Sequence, residues 1–228
     1  MSFLYCVRHS QASAHAEDYD QLSELGYEQS ALLGKRLATM LPTIDHVWYG
    51  PRKRHHQTYV SSKQPDWPTP VLKEWLDEFP AHEIMEKGLP TLRGTHLESH
   101  IEIINNQVGT GSPEFLTVLQ YLCDQWVSER LILDDVESGA QYKHRIKNGI
   151  QEVQEVLARG ESIILFSSAG AISTLFGTTL KADPVHSLHI AWAMYNTSIT
   201  TLRHFHGGLI NCSLNWIDHI PLSKRTFV

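Results

Sequence analysis

Cysteine is scarce in this chain. There are three in 228 residues, Cys6, Cys123 and Cys212. They lie far apart, are odd in number and never fall in C-x-x-C spacing, which argues against a disulfide framework or a thiolate zinc site. Long apolar runs are lacking too. No window approaches the roughly 18 apolar residues of a membrane span, and Met1 to Val7 lacks the charged start and long apolar core of a signal peptide. A reducing cytoplasm is the expected location, and no membrane partner is expected. Positive charge is also short: the formal net charge is -6. A mildly acidic chain lacks the basic surface that nucleic acid requires. A small anionic ligand stays open, because local charge in a pocket can oppose the net charge.

What is present fits one globular domain. The chain is 42% hydrophobic and 19% charged, and its length suffices to bury a core without staples. No repeat or low-complexity tract interrupts it. Histidine is abundant, with 14 residues including the neighbours His55 and His56, His186 and His189, and His204 and His206. None lies in an H-E-x-x-H pattern. They read as scattered imidazoles, so neither a metal nor a cofactor is expected.

Three short apolar runs share one layout. Phe3 to Val7 ends in Arg8-His9-Ser10, His46 to Tyr49 ends in Gly50-Pro51, and Ile163 to Phe166 ends in Ser167-Ser168-Ala169-Gly170. Each reads as a buried strand. Thr197 to Phe205 alternates and predicts a further strand. Helical spacing follows Ser23, a candidate N-cap, through Leu25, Leu32, Leu33, Leu37 and Met40 to a stop at Pro42. A second helix is expected over Arg52 to Val60, and a third over Ala140 to Leu157, ended by Gly160. Strands alternating with helices predict a three-layer α/β sandwich whose mostly parallel central sheet is flanked by helices. Ligand sites in such sheets lie beyond the carboxyl ends of the strands, where Arg8, His9, Ser167 and Ser168 fall. The stretch of about 79–130, with Gly88, Pro90, Gly94, Gly109, Gly111 and Pro113, breaks this rhythm. It reads as an insertion within the single domain 1–228, either a cap on the site or a plain surface excursion.

The motifs come in a set order. Arg8-His9-Ser10-Gln11-Ala12-Ser13 closes the first strand, and Tyr19-Asp20-Gln21-Leu22-Ser23-Glu24-Leu25-Gly26, with Gln29, opens the first helix. Gly50-Pro51-Arg52-Lys53-Arg54-His55-His56-Gln57-Thr58 and Leu76-Asp77-Glu78-Phe79 follow, then Glu137-Ser138 with Tyr142 and Arg145, then Ser167-Ser168-Ala169-Gly170. An Arg-His pair at a strand end can hold an anion beside a nucleophile, but alone it is far more often a surface pair. Taken together, from residue 3 to about 172, the segments resemble the histidine phosphatase superfamily, also called phosphoglycerate-mutase-like. Its members carry Arg-His-Gly after the first strand, then Leu-Thr/Ser-x-x-Gly-x-x-Gln, then Ser-Pro-x-x-Arg-x-x-Gln-Thr, then a Glu, then a strand ending in Ser-His-Gly.

The resemblance implies a metal-independent phosphomonoesterase acting on a small phosphorylated substrate, with phosphate itself as a ligand. It puts His9 at the nucleophile, which would carry the phosphoryl group. Arg8 and Arg54 fall where forked guanidinium groups hold phosphate oxygens and favour a neutral imidazole. Glu78 falls near the proton donor, which its pocket should keep protonated, with Asp77 and Glu83 as rivals. Ser10, Gln11, Ser168 and Ala169 are the expected substrate-binding residues. Three positions depart from the pattern. Ser10 replaces a glycine, Gly50 replaces a serine, and Ser168 stands where the second histidine belongs. Losing one preorganised donor typically costs about 2.7–4 kcal/mol in the transition state. His15, His55, His82 and His219 are candidates to fold in as a replacement. A branch of the superfamily with a Gln-Ala-Ser opening shares the departure. The alternatives left open are a weak or inactive phosphate-ligand-binding relative, a mutase and a histidine-rich metal protein. Oligomeric state is not legible.

Overall fold

The computed structural model describes residues 1–13, 20–41, 43–106 and 112–227. Six strands form one sheet: β1 (Phe3–Arg8), β2 (His46–Tyr49), β3 (Val71–Leu72), β4 (Ile163–Ser167), β5 (Ile199–Phe205) and β6 (Gly208–Trp216). Their order is β3-β2-β4-β1-β5-β6. The first four named in that order run parallel, while β5 is antiparallel to β1 and to β6. The mostly parallel sheet is therefore as expected. The further strand expected over Thr197 to Phe205 is β5, which runs antiparallel at the sheet edge, whereas β6 and the two-residue β3 were not expected.

Register sets the site. Arg8 lies opposite Ser167, and Tyr49 lies opposite Phe166. The chain segments leaving β1, β2 and β4 therefore emerge side by side at one end of the sheet. Side chains alternate between faces along each strand. Tyr5 and Val7 of β1, Val47 of β2, and Ile164 and Phe166 of β4 share one apolar cluster with Leu33 and Leu37 of α1 (Glu24–Met40) and Tyr59 of α2 (Lys53–Ser62). Ser23 caps α1 as expected, accepting from the Gly26 N–H at 3.0 Å. The expected stop at Pro42 lies outside the described residues. Beyond β3, Trp75 packs its ring where a Cβ on Gly149 would stand 2.1 Å away, so the absent side chain makes room for the indole.

The residues Phe79–His144 form a compact unit of their own, and Met1–Glu78 with Arg145–Val228 form the other. The smaller unit contains α3 (Ala81–Gly88), α4 (Glu98–Asn106) and α5 (Pro113–Val127). Its core centres on Trp126, whose ring packs at a tilt against Phe79 and Tyr142 with centroids 5.9 and 5.4 Å away. Trp126 is thus a packing residue. The helix α6 (Gly139–Ala158) starts at the end of this unit, capped by Ser138, whose hydroxyl accepts from the Gln141 N–H at 3.2 Å. Gly160 takes φ +88° just beyond its end, the left-handed turn that favours glycine. After β4 come α7 (Ala169–Thr179) and α8 (Pro184–Trp192). Among the described residues no helix is long and apolar enough to cross a membrane.

Phe166 tests this core. It is fully buried, with Tyr59 and Trp67 rings 5.8 and 6.3 Å away. Phe166→Ala should cost about 3–5 kcal/mol in urea unfolding. A loss below 1 kcal/mol would mean that these rings do not pack as described.

Candidate active site

Arg8 and His9 end β1, and their backbone is tied down on both sides. The Arg8 N–H donates to Ser198 O at 3.0 Å and the His9 N–H to Ser167 O at 2.8 Å. The Asn196 side-chain amide donates to His9 O at 3.1 Å. Thr197 sits beside them at φ +62°, an uncommon conformation for a β-branched residue. It is held there because its N–H reaches the carbonyl of Arg8 at 3.1 Å. Local backbone strain is thus spent on fixing the strand end that presents His9.

The imidazole of His9 has a defined tautomer. Nδ1 lies 2.7 Å from the Ser10 carbonyl oxygen, which can only accept, so Nδ1 carries the proton. Nε2 therefore presents its lone pair, and the Arg54 Nε–H donates to it at 3.2 Å. Burial, the guanidinium groups of Arg54 and Arg8, and nearby His55 hold its pKa well below the ordinary value. The ring stays neutral near neutral pH, the state an attacking nitrogen requires.

Arg54 lies in the first turn of α2 and is 8% exposed. Beyond His9 it reaches Asp20 Oδ1 from Nη1 at 2.8 Å and Ser168 Oγ from Nη2 at 3.4 Å. Its neighbour His55 is fully buried, with Nε2 2.7 Å from Ser168 Oγ. The His9 and His55 rings have centroids 5.7 Å apart. Among the four imidazoles considered as replacements, His55 is the one this cluster contains. His82 is exposed on α3, His219 packs against Trp216, and His15 lies outside the described residues.

The other segments brace this cluster. Ser10 is fully buried; its N–H donates to Thr58 Oγ1 at 3.0 Å and its hydroxyl pairs with Ser30 Oγ at 2.6 Å. Gln57 Oε1 accepts from the Leu22 N–H at 2.8 Å. The Gln-Thr pair of α2 therefore anchors two neighbouring loops. Gln11 bonds locally as well, its Oε1 accepting from Ser23 Oγ at 2.9 Å. Gly26 is required there, because a Cβ would stand 2.2 Å from Gln11 O.

The three acid candidates separate by position. Asp77 accepts from Arg52 Nε at 2.5 Å. Glu83 is exposed on α3. Glu78 reaches the first turn of α7, where its Oε2 accepts from the Gly170 N–H at 3.3 Å. Arg145 fixes this loop by donating to the carbonyls of Trp75 and Asp77 at 2.8 and 2.9 Å. Trp75 itself donates to Glu152 at 3.1 Å, so it packs on α6. Among the described residues no group of three or more His, Cys, Asp or Glu is gathered that could hold a metal ion.

No family model matches the chain, and no curated protein matches it in sequence. Solved structures match its fold. A phosphoserine phosphatase variant from Entamoeba histolytica, in complex with phosphoserine, is 18% identical with TM-score 0.64, covering 97% of this chain and all of that one. The alpha-ribazole phosphatase from Shigella flexneri is 16% identical with TM-score 0.62, covering 93% and 96%. A mycobacterial glucosyl-3-phosphoglycerate phosphatase in complex with VO3 is 18% identical with TM-score 0.62, covering 95% and 100%. These structures belong to the histidine phosphatase superfamily, and theirs is the fold that the resemblance implied.

The two neutral imidazoles have a consequence for stability. The unfolded chain protonates its histidines near pH 6.5, whereas folded His9 and His55 resist protonation well below that value. Above about pH 6.5 both states are neutral and the full stability is present. As the pH falls, the unfolded state binds protons that the folded state refuses, so stability is lost toward acid. Each such imidazole contributes a slope of about 1.4 kcal/mol per pH unit. Unfolding free energies measured below about pH 6 should fall less steeply in His9→Gln than in the wild type by that amount. Equal slopes would show that His9 is charged in the folded protein.

Proposed function

We propose that the chain is a metal-independent phosphomonoester hydrolase that works through a phosphohistidine on His9. One observation carries the reading: a buried imidazole, neutral and protonated on Nδ1, faces the guanidinium of Arg54 with its Nε2 lone pair. A lone pair so placed is a nucleophile, and a guanidinium beside it is a ready partner for the phosphorus-bound oxygens it would attack. Phosphatases that share the fold support the same class of reaction.

In the proposed reaction the phosphate monoester displaces Arg54 from Nε2, and Arg54 and Arg8 turn to its oxygens. Nε2 forms a bond to phosphorus as the bond to the ester oxygen breaks. Glu78, at the first turn of α7, gives its proton to the leaving oxygen. Water then attacks phosphorus and returns a proton to Glu78, and the N–P electron pair goes back to Nε2. Charge spreading over the phosphoryl oxygens is met by fixed donors, which is where such sites gain most of their rate. Ser10 and Gln11 serve here as braces of the nucleophile's loop, with Ser168 and Ala169 nearest the phosphoryl oxygens.

A second reading is a catalytically weak or inactive module that binds a phosphorylated ligand. Ser168 favours it, because a serine supplies one hydrogen bond and no charge where the resemblance calls for a histidine. The two readings separate on an aryl phosphate. Turnover that survives a chelator and falls at least about a thousandfold in His9→Ala, with acid-labile phosphate on His9 after quenching, supports the hydrolase. Ligand binding with no turnover in either protein supports the module.

A further inference from the structure

We propose that His55 is a positioning residue that works through Ser168, the two side chains together supplying the donor that one imidazole would otherwise supply. The inference rests on the proposed phosphate site and adds a residue to it.

Two of the departures from the resemblance, Gly50 and Ser168, meet His55 at one point in space. Ser168 leaves the end of β4 with a short side chain. His55 enters that space from α2 and brings Nε2 to 2.7 Å from Ser168 Oγ. Gly50, at the end of β2, leaves room for the entry: a Cβ there would stand 2.5 Å from His55 Nδ1 and 3.0 Å from its Cε1, as well as 2.6 Å from the Leu76 carbonyl oxygen. A serine at 50 and an imidazole at 55 thus exclude each other in this backbone. Gly50, His55 and Ser168 form one rearrangement, in which an imidazole lost from one strand end is regained from the neighbouring helix.

The donor count gives the pair its role. Ser168 Oγ has one proton and two lone pairs. Arg54 can only donate, and Nη2 lies 3.4 Å from that oxygen. When an anion binds, the hydroxyl proton goes to the strongest acceptor, the anion. In the proposed tautomer, with the ring proton on Nε2, His55 then fills the second lone pair across 2.7 Å. Both side chains are fully buried, where a fixed donor acts with little screening. His55 therefore aims the serine hydroxyl at a phosphoryl oxygen without touching it.

The test is a double-mutant cycle read by inorganic phosphate binding in calorimetry, and by kcat and KM on an aryl phosphate. His55→Ala and Ser168→Ala should each weaken phosphate binding about tenfold or more. The double variant should lose no more than the worse single one, because the pair acts as a unit. His55→Gln, which keeps a side-chain N–H, should recover part of the His55→Ala loss. Thermal unfolding of each variant separates this from loss of fold. Additive losses, or His55→Ala and His55→Gln that are destabilised yet bind phosphate with wild-type affinity, would overturn the proposal. Wild type that binds phosphate without turnover defeats only the hydrolase reading, since the cycle on binding still decides the pair. Wild type that does not bind phosphate defeats both.

Discussion

A guanidinium held against a neutral imidazole, both out of water, is the constraint on which the rest of this structure depends. Arg54 is a buried guanidinium, and a buried charge is tolerated only where partners replace the lost hydration. Asp20, Ser168 and His9 supply oxygen or nitrogen acceptors at 2.8, 3.4 and 3.2 Å. Burial and, after it, the same charge keep a proton off His9 Nε2, so the residue that would hold an anion also helps prepare the group that would attack it. Asp20 is in this sense a stand-in for the anion, occupying the guanidinium with a carboxylate.

Holding such a pair demands a stiff frame, and the frame is the sheet. Parallel pairing of β1 with β4, and of β4 with β2, brings three loops to the same end. The β1 loop and the segment after β3 are then fastened to other elements. Thr197 accepts a positive φ to bond the carbonyl of Arg8, Thr58 takes the Ser10 N–H, and Arg145 holds the carbonyls of Trp75 and Asp77. Polar residues of the recognisable motifs are therefore mostly structural in their immediate bonds. In the proposed reaction their contribution would be to leave His9, Arg54 and Glu78 with little freedom, which is what preorganisation requires.

Much of the fold was legible because its signals are local. Runs of four to six apolar residues between small or polar ones marked β1, β2 and β4, and helical spacing from a serine cap marked α1. The β5–β6 pair illustrates the limit. Its antiparallel placement depends on contacts between Phe3–Val7 and Ile199–Arg203, nearly two hundred residues apart, and nothing in either segment names its partner. The acid candidates show the same limit at the site. Asp77, Glu78 and Glu83 are equivalent as text. A salt bridge to Arg52 occupies the first, the first turn of α7 receives the second, and solvent surrounds the third.

Residue types and their order determined the sheet-and-helix plan, the end of the sheet where the polar groups gather, and the absence of a histidine at position 168. Those follow from hydrophobic period and motif order, which are properties of neighbouring residues. Tertiary structure alone decided that His55 reaches Ser168 through the space beside Gly50, and that Arg54 faces Nε2. Both depend on which helix lies over which strand end and on ångström-scale clearances, and packing sets those distances between residues that the chain keeps far apart.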